Sequence, residues 1–417
     1  MAVVLIGTLD TKGPEYAWLR ERLIELGSEV IVVDVGVGQE SVGPSSDFGA
    51  PASASAEDIA NFRVAAAAGA DLGALRAAGD RGAAVSAMGE GAAVVLAELY
   101  AEGRVDGVLA VGGSGGSSIA ARAVRDLPIG LPKLIVSTMA SGDVSPYVGA
   151  KDVTIMYSVV DIAGINRVSR LILGNAAAGI AGMAAAYATA MTSAREREDD
   201  RPLVAASMFG VTTPAVDAAR ERLTELGYEV LVFHATGAGG RAMEGLADSG
   251  LLAGVLDLTT TELADDLVGG VLSAGPDRLT AAGRHGVPQV VAPGALDMVN
   301  FGPADSVPSR FDGREFYVHN PTVTLMRTTL EEMAELGRRV AGKLAAATGP
   351  TALFVPLRGV SALDAPGMPF HDQKADEACF EALAAYPGVI RLDLHINDPA
   401  FGRAMADRLH DLIRGEG

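Results

Sequence analysis

Four short runs in the first half of the chain combine Gly, Ser, Thr, Lys and Asp as phosphate chemistry requires. The first is Gly7-Thr8-Leu9-Asp10-Thr11-Lys12-Gly13, between an apolar run and an amphipathic stretch. Backbone amides at a helix start hold an anion, and Lys12 adds a positive charge. The P-loop spacing Gly-x4-Gly-Lys-Ser/Thr is absent here, so this is a different loop. The second run, Asp34-Val35-Gly36, ends a strand, where an acid can accept a ribose hydroxyl. The third is Gly112-Gly113-Ser114-Gly115-Gly116-Ser117-Ser118, whose glycines let backbone approach a ligand while the serines donate to phosphate. Ser118 stands where a dinucleotide fingerprint has its last glycine, which argues against a nicotinamide cofactor. The fourth, Ser137 to Val144, offers Met139, Ser141 and Gly142 to the same crevice, and Asp143 to a metal or a hydroxyl. Asp10 is the other metal candidate. Each run has a plainer reading as well: a polar loop with a helix cap, a solubilising strand end, or a tight turn under a helix.

The second half concentrates Asp, Asn, His and Arg in three runs, Gly294–Gly302, His319–Arg327 and Pro356–Asp372. Read as loops, they are the places where function tends to sit. Arg327, Arg358 and His371 are the candidate catalytic residues, facing a second substrate in a cleft between two domains. His371 or His319 could shuttle a proton near neutral pH. Hydrogen bonding within loops is the structural alternative for both. No His-x-x-His or Glu-x-x-His pair suggests a tight transition-metal site, which leaves magnesium carried by a nucleotide.

These runs need elements to position them, and an internal repeat supplies the outline. Leu19–Asp34 reads LRERLIELGSEVIVVD and Ala219–His234 reads ARERLTELGYEVLVFH, with ten of sixteen positions identical at an offset of 200. Pro14 and Pro214 share that offset and open the helices. Gly27 and Gly227 stop them, and β-rich runs follow. The pattern is a βαβ unit, hence a parallel sheet with a right-handed crossover. Further strand candidates are Val105–Val111, Lys133–Thr138, Gly254–Leu258, Gln289–Ala292, Thr351–Val355 and Val389–Leu394. The fold class expected is α/β, with two Rossmann-like doubly wound domains over 1–195 and 200–417. Gly36–Ala56 reads as a long loop, 57–102 as an Ala-rich helical insertion, and Thr192–Pro202 as the linker.

Composition narrows the field. Thirty-three Lys and Arg against 52 Asp and Glu leave a net charge of −19, which does not suit a general nucleic-acid binder. Cys379 is the single cysteine, so no disulfide framework forms, and its helical context marks a buried thiol. Leu171–Ala194 runs 24 residues without a charge, long enough to span a bilayer. Its Ala and Gly content makes insertion weak, so a buried helix packed on another domain or subunit is expected instead. The start MAVVLIGTLD lacks a signal peptide's basic region, and a cytoplasmic protein is expected.

Taken in order, GTLDTKG, VGGSGGSS, STMASGDVSPYVG, GALDMVNFG, HNPTVTLMRTT and PLRGVSALDAPGMPFHDQKAD carry a closer likeness. Nearly the whole chain resembles a bacterial family similar to the N-terminal ATP-binding domain of the tomato mosaic virus resistance protein. The resemblance implies ATP as ligand with magnesium, a homodimer, and a TIM-barrel-like partner, fused in plants and supplied here by a separate protein. It implies no reaction. Two functions stay open: an ATP-binding enzyme or enzyme subunit acting on a small metabolite, and a nucleotide-gated binding protein without turnover. A two-lobed solute receptor fits the repeat but not the absence of a signal peptide.

Overall fold

The computed structural model describes residues 1–38, 58–194 and 201–416. Most of the loop expected over Gly36–Ala56 and the centre of the expected linker lie outside the described residues. The chain divides into two units, Met1–Glu198 and Asp199–Gly417.

In the first unit the order is β1 (Ala2–Gly7), α1 (Leu9–Glu25), β2 (Glu29–Asp34), α2 (Asn61–Ala67), α3 (Leu72–Ala78), α4 (Arg81–Ala101), β3 (Gly107–Gly112), α5 (Ser114–Val124), β4 (Lys133–Ser137), α6 (Ser145–Val148), β5 (Val153–Tyr157) and α7 (Arg167–Ala194). The sheet runs β2-β1-β3-β4-β5, with every pair parallel. Because β1 and β3 lie inside the sheet with helices on both faces, their sequences are apolar throughout rather than alternating. Alternate residues serve opposite faces: Val4 and Ile6 meet α2, α4 and α5, while Val3 and Leu5 meet α1 and α7. The α1 backbone leaves helical geometry at Lys12 (φ −133°, ψ 25°), and the regular helix resumes with Pro14 in its first turn. It stops at Gly27, whose φ of +82° suits glycine; Gly227 repeats this at +95°.

Tyr16 on α1 separates the ends of the two central strands. Backbone pairing between β1 and β3 reaches Ile6 opposite Ala110 and goes no further. Beyond it the fully buried Tyr16 hydroxyl accepts the Val111 N–H at 2.8 Å and donates to the Ile6 carbonyl, with the Val111 carbonyl 2.9 Å away. A Cβ on Gly7 would stand 1.9 Å from the Tyr16 ring, so this position has room only for glycine. The strands part here, and the loops that follow them turn to opposite sides. This is the topological switch point of a 2-1-3-4-5 sheet.

The uncharged run expected to be a buried helix is α7, and its burial is one-sided. Leu173, Ala176, Ala177, Ile180 and Ala184 pack on the sheet of their own unit, while Leu171 and Met183 are exposed. By length and composition both α4 and α7 could cross a membrane.

The second unit continues with β6 (Leu203–Met208), α8 (Thr213–Glu225), β7 (Glu229–His234), α9 (Ala238–Asp248), β8 (Gly254–Thr259), α10 (Glu262–Val268), α11 (Ala281–Arg284), β9 (Gln289–Gly294), β10 (Met298–Phe301), β11 (Phe316–Asn320), β12 (Val323–Arg327), α12 (Leu330–Ala345), β13 (Thr351–Pro356), α13 (Gln373–Leu383), β14 (Ile390–Leu392) and α14 (Pro399–Arg414). Its main sheet is β14-β13-β9-β8-β6-β7. Read from β7 to β13, the order repeats that of the first unit strand for strand, so the sequence repeat is a repeat of topology. Two expectations are corrected. The runs 294–302 and 319–327 are not loops: they contribute β9, β10, β11 and β12, the last three forming an antiparallel sheet. In addition β5, which reads VTIMY with three residues half-buried and two exposed, is a strand beyond those expected from the sequence.

Tyr16→Phe leaves the buried Val111 N–H and Ile6 carbonyl without their partner, and should cost about 1–3 kcal/mol. Urea unfolding of the first unit, followed through Trp18, checks this. An unchanged midpoint would show that the hydroxyl is dispensable.

Candidate functional site

A cavity of about 930 Å³ opens at the carboxyl ends of β1, β3 and β4, within the size range of small-molecule sites. Its polar floor comes from Thr8, Asp10, Thr11 and Lys12 after β1, and from Gly112 to Gly116 after β3. Gly113 is the N-cap of α5 and provides no capping side chain, so the N–H groups of Ser114, Gly115 and Gly116, which line the cavity, have no partner among the described residues. A Cβ on Gly112 would come within 2.9 Å of the Gly116 backbone, which explains how tightly strand and helix meet. Thr138 and Met139 complete this side. The remaining wall is largely apolar: Val35, Val37, Leu75, Val85 and Ile119.

Lys12 donates to the Ile162 carbonyl, which holds its ammonium at the cavity edge beside Asp161. Asp10 accepts the Gly38 N–H at 2.5 Å through one oxygen, while its other oxygen is buried without a partner. Gly36 and Gly38 wrap this carboxylate so closely that a Cβ on either would come within 2.6 Å of it.

Several sequence candidates have other tasks. Gly7 makes room for Tyr16. Asp34 does not line the cavity; it accepts the N–H groups of Leu9 and Gly36 at 3.2 and 2.9 Å and so ties the first two loops together. Burial raises its pKa, and those two amides pull it back. Gly36 belongs to that same tie. Ser117 is fully buried and pairs with the Ser137 hydroxyl at 2.7 Å, locking the α5 loop to the end of β4 instead of meeting a phosphate. Ser141 and Gly142 lie in the exposed turn after Met139, away from the cavity lining. Asp143 lies outside the cavity lining: its exposed carboxylate accepts the Ser145 N–H at 2.9 Å, and hydrogen bonds from the Ser145 side chain and amide lower its pKa. Among the described residues no group of three His, Cys, Asp or Glu side chains could hold a metal ion.

Sequence reasoning missed the residues that the α3–α4 insertion brings in, Arg76, Asp80 and Arg81. They stand more than thirty residues before the Gly-rich loop, in a stretch read only as Ala-rich helix.

The second unit places its candidates differently. Arg327 is buried and donates to Asp376 and Thr328 at 2.9 Å each, balancing charge in the core. Arg358 is exposed and clamped by both oxygens of Asp393 at 2.8 and 2.7 Å. His319 lies on the exposed strand β11, its ring 6.4 Å from that of Tyr317. His371 is exposed as well, with its Nδ1 3.5 Å from the buried Asp364 carboxylate. Behind it Asp297, Asp364 and Asp376 form an acidic cluster, in which Arg327 acts on Asp297 and Asp376. Burial raises the pKa of Asp297 and Asp376, and their acidic neighbours raise them further. Nearby Asp265 is pushed up to about 7 by burial, against the pull of hydrogen bonds from Asn300. Burial also pushes the Cys379 thiol up to about 12, as suits an inert core residue.

With this geometry in place, the chain can be set beside known proteins. Models of the uncharacterised protein family UPF0261 match it twice, the N-terminal domain over residues 1–189 and the C-terminal domain over 201–413. A UPF0261 protein of Clostridium tetani is 48% identical, covering 99% of this chain and 98% of its own. The ToMV resistance protein Tm-1(GCR237) of Solanum lycopersicum is 40% identical across 97% of this chain, which spans 55% of the tomato protein. A solved Streptomyces sp. SF2575 glycosyltransferase aligns at 13% identity with a TM-score of 0.18, covering 100% of this chain and 96% of its own, too weak a likeness to argue from.

The raised carboxyls of the second unit imply a pH dependence. A group whose folded pKa is raised stabilises the fold below its unfolded value, and that contribution is lost as pH rises through the folded value. Stability should therefore fall from about pH 4 to about pH 7, by up to about 1.4 kcal/mol per pH unit for each such group. Asp297→Asn, which mimics the protonated form, should flatten the slope. Urea unfolding followed by far-UV circular dichroism at several pH values measures it. A slope identical in the variant would mean that Asp297 is ionised in the folded core.

Proposed function

We propose that this chain, which belongs to the uncharacterised protein family UPF0261, binds a nucleoside triphosphate, ATP in the first instance, in the cavity of its first unit. One observation carries the reading. Three unpaired helix amides and Lys12 converge on a single cavity at the switch point of a parallel sheet, where such folds receive nucleotides. The apolar wall of Val35, Val37, Leu75 and Val85 offers a base a dry surface beside that polar floor. The ordered motifs shared with the tomato resistance protein's ATP-binding region favour ATP over other nucleotides.

The residues suit magnesium that arrives with the nucleotide better than a cation held by protein alone. The unpartnered Asp10 oxygen at the cavity can accept a metal-bound water, and no set of three ligands competes for the ion among the described residues. Magnesium would neutralise charge on the phosphates. Lys12 would hold a phosphate oxygen, and the α5 amides would orient it.

Turnover and gating make different demands on the lining. Among the described residues no His or Cys lines the cavity, and Asp10, Asp80 and Asp161 are the acids there that could take a proton. This absence of a nucleophile–base pair favours a nucleotide-gated binding protein as the second reading. The first reading remains an enzyme or enzyme subunit working on a small metabolite.

Calorimetric titration with ATP, ADP and NADH, with and without magnesium, tests the proposal. ATP should bind selectively, and Lys12→Ala should weaken it by roughly tenfold or more. Silence from all three ligands would leave the Gly-rich loop as a packing device. Phosphate release on adding a candidate metabolite would then decide between the two readings.

A further inference from the structure

The helical insertion between β2 and β3 delivers a cation to an electrostatically odd place. Arg81 opens α4, and its Nη2 and Nε lie 3.3 and 4.0 Å from the point that a Cβ on Gly115 would occupy. Gly115 is the second residue of α5 and has no positive φ, so conformational freedom does not explain the glycine. What the missing Cβ provides is room for the guanidinium against the first turn of the helix. A cation beside a helix N-terminus is unfavourable taken alone, because the unpaired amides there are themselves positive.

Arg81 is exposed, and among the described residues its side chain has neither an ion-pair nor a hydrogen-bond partner, whereas Arg20 and Arg122 in the same unit are paired and Arg63 and Arg125 are not. The acids that line the cavity are held by backbone: Asp80 by Ala83, Asp10 by Gly38 and Asp161 by Ile162. An anion set between Arg81 and the α5 amides turns two repulsive features into attractive ones. A planar guanidinium fork suits a terminal phosphate, which presents several free oxygens.

We propose that Arg81 binds the terminal phosphate of the ligand, so that the α3–α4 junction selects for the number of phosphates. The inference rests on the polyphosphate reading of this cavity. Lys12 and the amides recognise a phosphate of any nucleotide, and Arg81 adds affinity only when the chain of phosphates is long enough to reach it.

The test is titration of the full chain with AMP, ADP, ATP and inorganic tripolyphosphate, using wild type, Arg81→Met and Arg81→Lys. Arg81→Met keeps the apolar stem, and far-UV circular dichroism confirms its fold. It should lose roughly tenfold or more in affinity for ATP and tripolyphosphate, while AMP changes by less than about twofold. Arg81→Lys should recover part of the loss. Equal losses for every ligand, or none, would overturn the role of Arg81 and leave nucleotide binding standing. Tripolyphosphate binding lost in Arg81→Met, with no nucleotide bound by wild type, would support Arg81 and remove the nucleotide reading. A wild type silent to every ligand would overturn both.

Discussion

The first unit depends on a single hydroxyl. Between the carboxyl ends of β1 and β3 the backbone ladder gives way to the Tyr16 side chain, which satisfies groups the two strands no longer offer each other. That substitution lets the strands diverge without leaving buried polar groups unpaired. The divergence sends the Asp10–Lys12 loop to one side and the Gly-rich turn to the other, with a cavity between them. Gly7, Asp34, Ser117 and Ser137 then act as fasteners: one admits the tyrosine ring, and the others tie adjoining loops together.

The repeat carries the same strand order into the second unit without the same opening. There the loop after β8 reads Thr259-Thr260-Thr261-Glu262, buried throughout. The Glu262 carboxylate accepts the N–H groups of Gly237 and Gly240, at 2.6 and 3.1 Å, around the start of α9. Arg278 neutralises it together with Asp257 and Glu244. The unit thus carries its own anion at a helix start, whereas the first unit leaves helix amides open. The second copy of this topology thus carries within its own chain the charge that a helix start attracts.

Much of this was legible in the residues alone. Hydrophobic period, the Pro–Gly punctuation of the helices and the offset of 200 predicted both sheets, since each reflects local chemistry. The Gly-rich loop and Lys12 stood out because close approach and charge are properties of residue type. What escaped depends on tertiary contact. Ser114 and Ser117 look alike in sequence, yet one is exposed and the other is sealed by Ser137. Asp34 and Arg327 read as ligands and prove to be internal ties. Arg81 drew no notice because its value lies in being set against Gly115, a pairing that only the packing of α4 on α5 creates. The antiparallel strands β10 and β12 were hidden because their polar residues, Asn300, Thr324 and Arg327, are buried and so look like loop residues in the sequence.

The position of α7 has a consequence for how the chain is made. This helix is the last element of its unit, yet it covers Val3, Leu5, Leu109 and Val136 near the sheet's centre. While the ribosome is still adding residues before Arg167, that apolar face is covered by α1 alone. β1 meanwhile waits for β3, about a hundred residues downstream, to fill its second edge. The emerging chain therefore passes through a long interval with a half-covered sheet face, the condition under which nascent proteins lean on chaperones. The small side chains of α7 suit the moment that ends it. Ala176, Ala177, Ala181 and Ala184 have almost no rotamers to lose, so the helix can dock as a nearly smooth surface in one step.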